Sequence, residues 1–190
     1  MDRRGSENFG KALARHTAPT LLGIKCASLV SLSRSEFDVN GQSADFNSRA
    51  AGKGLQSRVL CECRNRMLLL VYSQRLLSAR LAEERVRRML EACGYPAVQD
   101  VEACLDHLAE RMRGSDGFPH EIGIFLGYPL EDVVGFIENG GENYKLCGCW
   151  KVYGCPENAR RTFANYEKCR KFLCNKLNEG ADLYQALKIS

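Results

Sequence analysis

The feature that most constrains the fold is an uninterrupted apolar run of six residues, Met67-Leu68-Leu69-Leu70-Val71-Tyr72. It is the longest such run in the chain, far short of the roughly 20 residues a membrane span needs. A short run that is apolar throughout reads as a central strand. Residues 58–63 form a second β-rich run, and Arg64-Asn65-Arg66 between them has the length of a hairpin turn. The chain is therefore expected to build around a hairpin whose second strand lies inside the sheet.

Helical spacing dominates the rest. Ala82, Val86, Met89, Leu90 and Cys93 share one face, and Gly94 ends that helix. Val98, Val101, Leu105, Leu108 and Met112 repeat at three and four residues, the cleanest stripe in the chain. Glu83, Arg87, Arg88, Asp106, Arg111 and His107 fall on polar faces and read as solvated. Residues 114–117 read as a loop. Pro119 opens a short helical segment that Gly127-Tyr128 breaks, and Pro129 opens another, with Glu131 and Asp132 in its first turn. Asn139-Gly140-Gly141 stops it. Pro156 starts a long helix to about Leu177, and Gly180 separates a short tail helix.

Residues 1–15 are polar and mixed in charge, and are expected to be flexible. Residues 33–57 are expected to form a long connecting loop, with a short helix near 44–51. The grouping of helices between the hairpin and the last strand argues against strict βαβ alternation. The expected architecture is a single α+β domain over residues 1–190. Its small, mostly antiparallel sheet comes from residues 27–32, 58–63, 67–72 and 146–153, with several helices packed on it.

The net charge of +4, from 27 basic and 23 acidic residues, is small and dispersed. It demands neither nucleic acid nor an anionic membrane. The N-terminus is not followed by the apolar segment of a secretory signal, so a cytoplasmic location is expected. In a reducing compartment the ten cysteines read mostly as packing residues, with metal ligands and redox thiols as the alternatives.

Candidate chemistry concentrates in a few places. Cys147-Gly148-Cys149 puts two thiols one residue apart, a spacing that can share a soft metal, and the glycine leaves room for a cofactor. Cys169 and Cys174 are five apart on a helix, about 140° around its axis, which is a poor second ligand pair. His120 and Glu121 follow Pro119 in a first helical turn, where an imidazole can ligate a metal or act as a base. His16, Thr20, Lys25 and Ser28 surround Pro19 and Gly23, and a lysine beside hydroxyls can hold a phosphate or carboxylate. Trp150 and Lys151 alternate across a strand, Trp150 toward the core or a stacked ligand. The last helix carries Arg160, Arg161, Lys168, Arg170, Lys171 and Lys176, diluted by Glu157, Glu167 and Glu179. Gly52-Lys53-Gly54 lacks the spacing of a phosphate-binding loop.

Two stretches carry a family resemblance. One is His16-x-Ala18-Pro19-Thr20-Leu21-x-Gly23-Ile24-Lys25-x-x-Ser28-Leu29. The other runs from Phe118-Pro119-His120-Glu121 through Phe125-Leu126-Gly127-Tyr128-Pro129, Gly135-Phe136-Ile137-Glu138-Asn139 and Gly148-Cys149-Trp150-Lys151-Val152-Tyr153-Gly154. Together they resemble a bacterial family, frequent in anaerobes, that is known only as a domain of unknown function. The resemblance implies a small stand-alone protein and brings no activity with it. It also implies iron-uptake or flavodoxin-like redox neighbours, and hence a flavodoxin-like redox partner.

The two motifs are expected to converge on one pocket. The leading expectation is a cytosolic binding or redox accessory protein. It would hold iron, zinc or a small anionic ligand through His16, Thr20, Lys25, Ser28, His120, Asn139, Cys147, Cys149, Trp150 and Lys151. The first alternative is a small-metabolite enzyme with His120 or Glu121 as acid/base and Lys25 as anion clamp. The second is a nucleic-acid or protein adaptor that uses the basic C-terminal helix.

Overall fold

The computed structural model describes residues 3–96, 100–114 and 118–189. Val98 and most of the 114–117 loop lie outside them. The architecture is α+β: an antiparallel three-stranded sheet between two layers of helices, with a separate two-stranded hairpin.

The sheet is ordered β1 (Ala27–Ser33), β3 (Arg66–Ser73), β2 (Leu55–Cys63), so the apolar run is indeed the central strand. Its alternation explains why both faces are apolar. Met67, Leu69 and Val71 point into one core, and Leu70 and Tyr72 into the other. Arg64 takes a left-handed conformation in the β2–β3 turn, and Leu60 is the extra residue of a bulge between Val59 and Cys61.

The first core is covered by α1 (Arg3–Leu21), α2 (Val39–Ala50), α8 (Pro156–Asn178) and α9 (Leu183–Ala186). Residues 1–15 were expected to be flexible, yet most belong to α1. Phe9, Leu13, Ala14, Thr17, Ala18 and Leu21 make one buried face, which supplies the stability that the polar composition hides. Pro19 sits in the last turn, and a Schellman motif ends the helix: Gly23 is left-handed, Ile24 N–H bonds Pro19 O at 2.8 Å and Gly23 N–H bonds Thr20 O at 3.0 Å. The expected 33–57 loop also gives way, because α2 and the start of β2 occupy it. Asp38 caps α2 by accepting from Gly41 N, and Phe46 is fully buried. Asn47 then closes the outer edge of β2. Its Nδ2 donates to Ser57 O at 2.8 Å, and its Oδ1 accepts from Ser57 N at 2.6 Å.

The second core is covered by α3 (Gln74–Leu81), α4 (Glu84–Ala92), α5 (Val101–Arg113), α6 (Ile122–Phe125) and α7 (Leu130–Glu138). The expected helix around residues 82–93 is α4, and α3 precedes it with Ser73 as its cap. The last expected strand is corrected. Residues 146–153 do not join the main sheet; β4 (Leu146–Cys147) and β5 (Lys151–Val152) pair only with each other. Two-residue strands cannot bury a face of their own, so Trp150 and Val152 pack on Tyr128, Ala159, Phe163 and Tyr166. Among the described residues no helix is long and apolar enough to cross a membrane.

Candidate functional site

The hairpin is held by one carboxylate. Asp132, buried in the first turn of α7, accepts from the Trp150 indole Nε1 through Oδ2 and from the Tyr153 and Gly154 amides through Oδ1, each at 2.7 Å. Close packing fixes the neighbouring glycines. A Cβ on Gly135 would lie 2.5 Å from Tyr153, and one on Gly148 would lie 2.2 Å from Phe163. The gap at Gly148, expected to admit a cofactor, is therefore filled by the Phe163 ring. Trp150 is 8% exposed, stacks on Tyr128 at 4.9 Å between centroids and meets Phe163 edge-on at 4.6 Å.

Under this aromatic layer lies a cavity of about 200 Å³. Phe118, Tyr128, Phe136 and Trp150 supply rings, Ile122 and Val133 supply aliphatic surface, and His120 and Lys151 complete an almost wholly apolar lining. His120 is exposed at the rim, edge-on to Phe136 at 5.0 Å. Lys151 Nζ donates to Gly141 O at 2.7 Å and lies 4.9 Å from the Tyr144 ring centroid. Asp132 also borders the space, but its oxygens are occupied by the hairpin.

The remaining predicted residues distribute over several places. Glu121 is 3% exposed and accepts from Arg111 Nε at 2.5 Å and Tyr95 OH at 3.1 Å. It is an anchor of the second core and does not join His120 as an acid/base pair. Thr20 and Ser28 are buried and hydrogen-bond each other at 2.8 Å, which ties the end of α1 to β1 and leaves neither hydroxyl facing a ligand. Asn139 Nδ2 donates to Gly135 O at 2.8 Å and closes the end of α7. His16 is exposed and lines a separate open groove with Lys11, Arg15 and Arg66. Partial burial, then Arg15 and Arg170, lower its pKa. His107, expected to be solvated, packs on Tyr95 with ring centroids 4.6 Å apart, because Tyr95 folds over α5.

Lys25 does meet the second motif. Its Nζ lies 5.2 Å from the Tyr128 centroid and 5.5 Å from that of Tyr166. Burial lowers the amine's pKa, and the thiols of Cys26 and Cys149 oppose that effect. Burial likewise raises the Cys149 thiol, with Lys25 pulling it back. The motifs thus converge at Lys25, Tyr128 and Cys149, with His120 on the cavity side and His16 in its own groove.

Cys147, Cys149 and Cys155 are exposed, whereas Cys26 and Cys104 are buried. Among the described residues no group of three or more His, Cys, Asp or Glu side chains is placed to hold a metal ion, so His120, Cys147 and Cys149 do not form a ligand set. Sequence reasoning missed Tyr128, Phe136 and Tyr166. The Gly127-Tyr128-Pro129 step was a usable signal, since an aromatic locked between a left-handed glycine and a proline is rigidly aimed.

Residues 13–187 match the profile of DUF3793, a family described as a protein of unknown function. No curated protein and no solved structure matches the chain.

Proposed function

The chain belongs to the DUF3793 family, and on that footing we propose that it is a binding protein for a small, flat, largely apolar molecule carrying one anionic group. The observation that carries this reading is the cavity beneath Trp150. Ring faces and aliphatic side chains form its almost wholly apolar walls, and His120 and Lys151 are among the residues that line it. An apolar cavity of about 150 Å³ accommodates a benzene ring, so about 200 Å³ suits one substituted or fused ring. The lining favours an organic ligand over a metal, because the Asp132 oxygens are already engaged and Lys151 is cationic. It also fits better than an adaptor role for α8, where Arg160, Arg170, Lys171 and Lys176 pair with Glu157, Glu167 and Glu179.

Trp150 is the only tryptophan in the chain, so its emission reports on the cavity directly. Titration with benzoate and indole-3-carboxylate is expected to change that emission saturably. The uncharged amides of the same rings should bind roughly tenfold more weakly, the worth of one charge-assisted hydrogen bond. Lys151→Met should remove that difference. Absence of any saturable change across both rings would defeat the reading.

A further inference from the structure

The two outer edges of the main sheet differ. On β2, Asn47 takes up the outward N–H and C=O of Ser57. On β1 the outward groups are left open. At the ends of the β1–β3 ladder, Ser73 N–H bonds Cys26 O at 2.8 Å and Arg34 N–H bonds Asn65 O at 2.9 Å. The register between them is unbroken, so even-numbered residues of β1 exchange bonds with β3 and odd-numbered ones aim N–H and C=O outward. Ala27 is fully buried, so the accessible edge starts at Leu29. Ser31 O accepts from Arg66 Nη2 at 2.7 Å, and Ser33 O accepts from the Phe37 amide at 3.0 Å. Both groups of Leu29 and the N–H groups of Ser31 and Ser33 find no protein partner among the described residues. Residues 27–33 carry none of the charges or prolines that blunt an edge.

An open groove of about 580 Å³ follows this edge. Leu32, from the face of β1 that packs on α1, and Ser31 and Ser33, from the opposite face, all line it. Its walls carry Lys11, Arg15 and Arg66, with Glu36 the one acid among the described lining residues. None of the ion pairs among the described residues takes up those three cations. The groove shares no lining residue with the cavity beneath Trp150. We propose that the outer edge of β1 receives an extended, acidic segment of a partner protein as an additional strand. Main-chain bonds to Leu29, Ser31 and Ser33 hold its backbone, and its carboxylates meet Lys11, Arg15 and Arg66. A second copy of the chain suits the edge less. Its β1 has no acid to offer, and it brings another set of the same cations.

The test uses the full chain and a fluorescein-labelled peptide that alternates glutamate and valine, read by anisotropy and by amide exchange. Saturable binding is expected at low salt and should weaken as salt is added. Bound peptide should slow exchange at Leu29 and Ser31 roughly tenfold, and leave Ser28 and Val30, already bonded to β3, unchanged. Arg15→Glu turns one attraction into a repulsion and should weaken binding roughly tenfold. Ser31→Pro removes an outward N–H without breaking the ladder to β3, so it should abolish binding while near-ultraviolet circular dichroism stays native. If that variant does not fold, the exchange data decide. Absence of saturable binding overturns the proposal, as does binding without protection at Leu29 and Ser31. Equal binding of a peptide that alternates lysine and valine overturns its acidic part. Protection of the same amides by concentration-dependent dimerisation, with no peptide present, gives the edge to a second copy and overturns the assigned occupant.

Discussion

At the scale of single residues, Asp132 shows how one side chain can fix a segment with little core of its own. It accepts three hydrogen bonds in a buried position, two of them from backbone amides. An amide replaces one acceptor oxygen with a donor, so Asp132→Asn leaves buried groups facing each other without a bond. The expected cost is about 1–3 kcal/mol in chemical denaturation, with a red-shifted Trp150 emission as the local sign. Lys25 gives a prediction with a pH signature. Its pKa is lowered on folding, so between the folded value and the ordinary lysine value, about 10.4, the unfolded chain binds more protons and stability rises with pH. Below that window the folded state is penalised. Lys25→Met is therefore expected to be more stable than wild type at neutral pH, with the gain shrinking as pH rises toward roughly 10. Denaturation midpoints measured at both ends of that range check the sign. Several such residues were visible in the sequence, but their partners were not. Glu121 meets Tyr95 and Arg111, and Gly148 meets Phe163, across separations that no local pattern encodes.

Among the elements, those with strong periodicity were legible: β3 from its apolar run, α5 from its stripe, α7 and α8 from their opening prolines. The elements hidden in polar sequence were not. Helix α2 contains glycine, serine and asparagine, all poor helix formers, and it stands on its Asp38 cap and on burial of Val39 and Phe46. Its Asn47 has a second task, imitating a neighbouring strand along the outer edge of β2. Removing that amide by Asn47→Ala frees a backbone donor and acceptor on Ser57. A loss of about 1–2 kcal/mol is expected, with faster amide exchange at Ser57. Because an uncovered edge pairs readily with other chains, concentration-dependent self-association should follow. Unchanged exchange at Ser57 would show that β2 needs no such cover. The expectation that residues 146–153 form a strand of the main sheet fails for a related reason: alternation signals a strand, but not which sheet receives it.

For the molecule as a whole, burial of α1 is decisive. Phe9, Leu13 and Leu21 are each at most 5% exposed, and burying one such side chain is worth about 1.5–3 kcal/mol. Against a typical net stability of about 5–15 kcal/mol, a chain beginning at Leu22 is expected to lose fixed tertiary packing. Near-ultraviolet circular dichroism should flatten, and a hydrophobic dye should bind. The effect should reach Tyr95 and Phe125 on the opposite side of the sheet, because β3 belongs to both layers at once. With Leu69 pressed against one set of helices and its neighbour Leu70 against the other, neither half has a private scaffold to retreat to. Heating should therefore take the two apart together, as one melting event recorded identically on either side of the central strand.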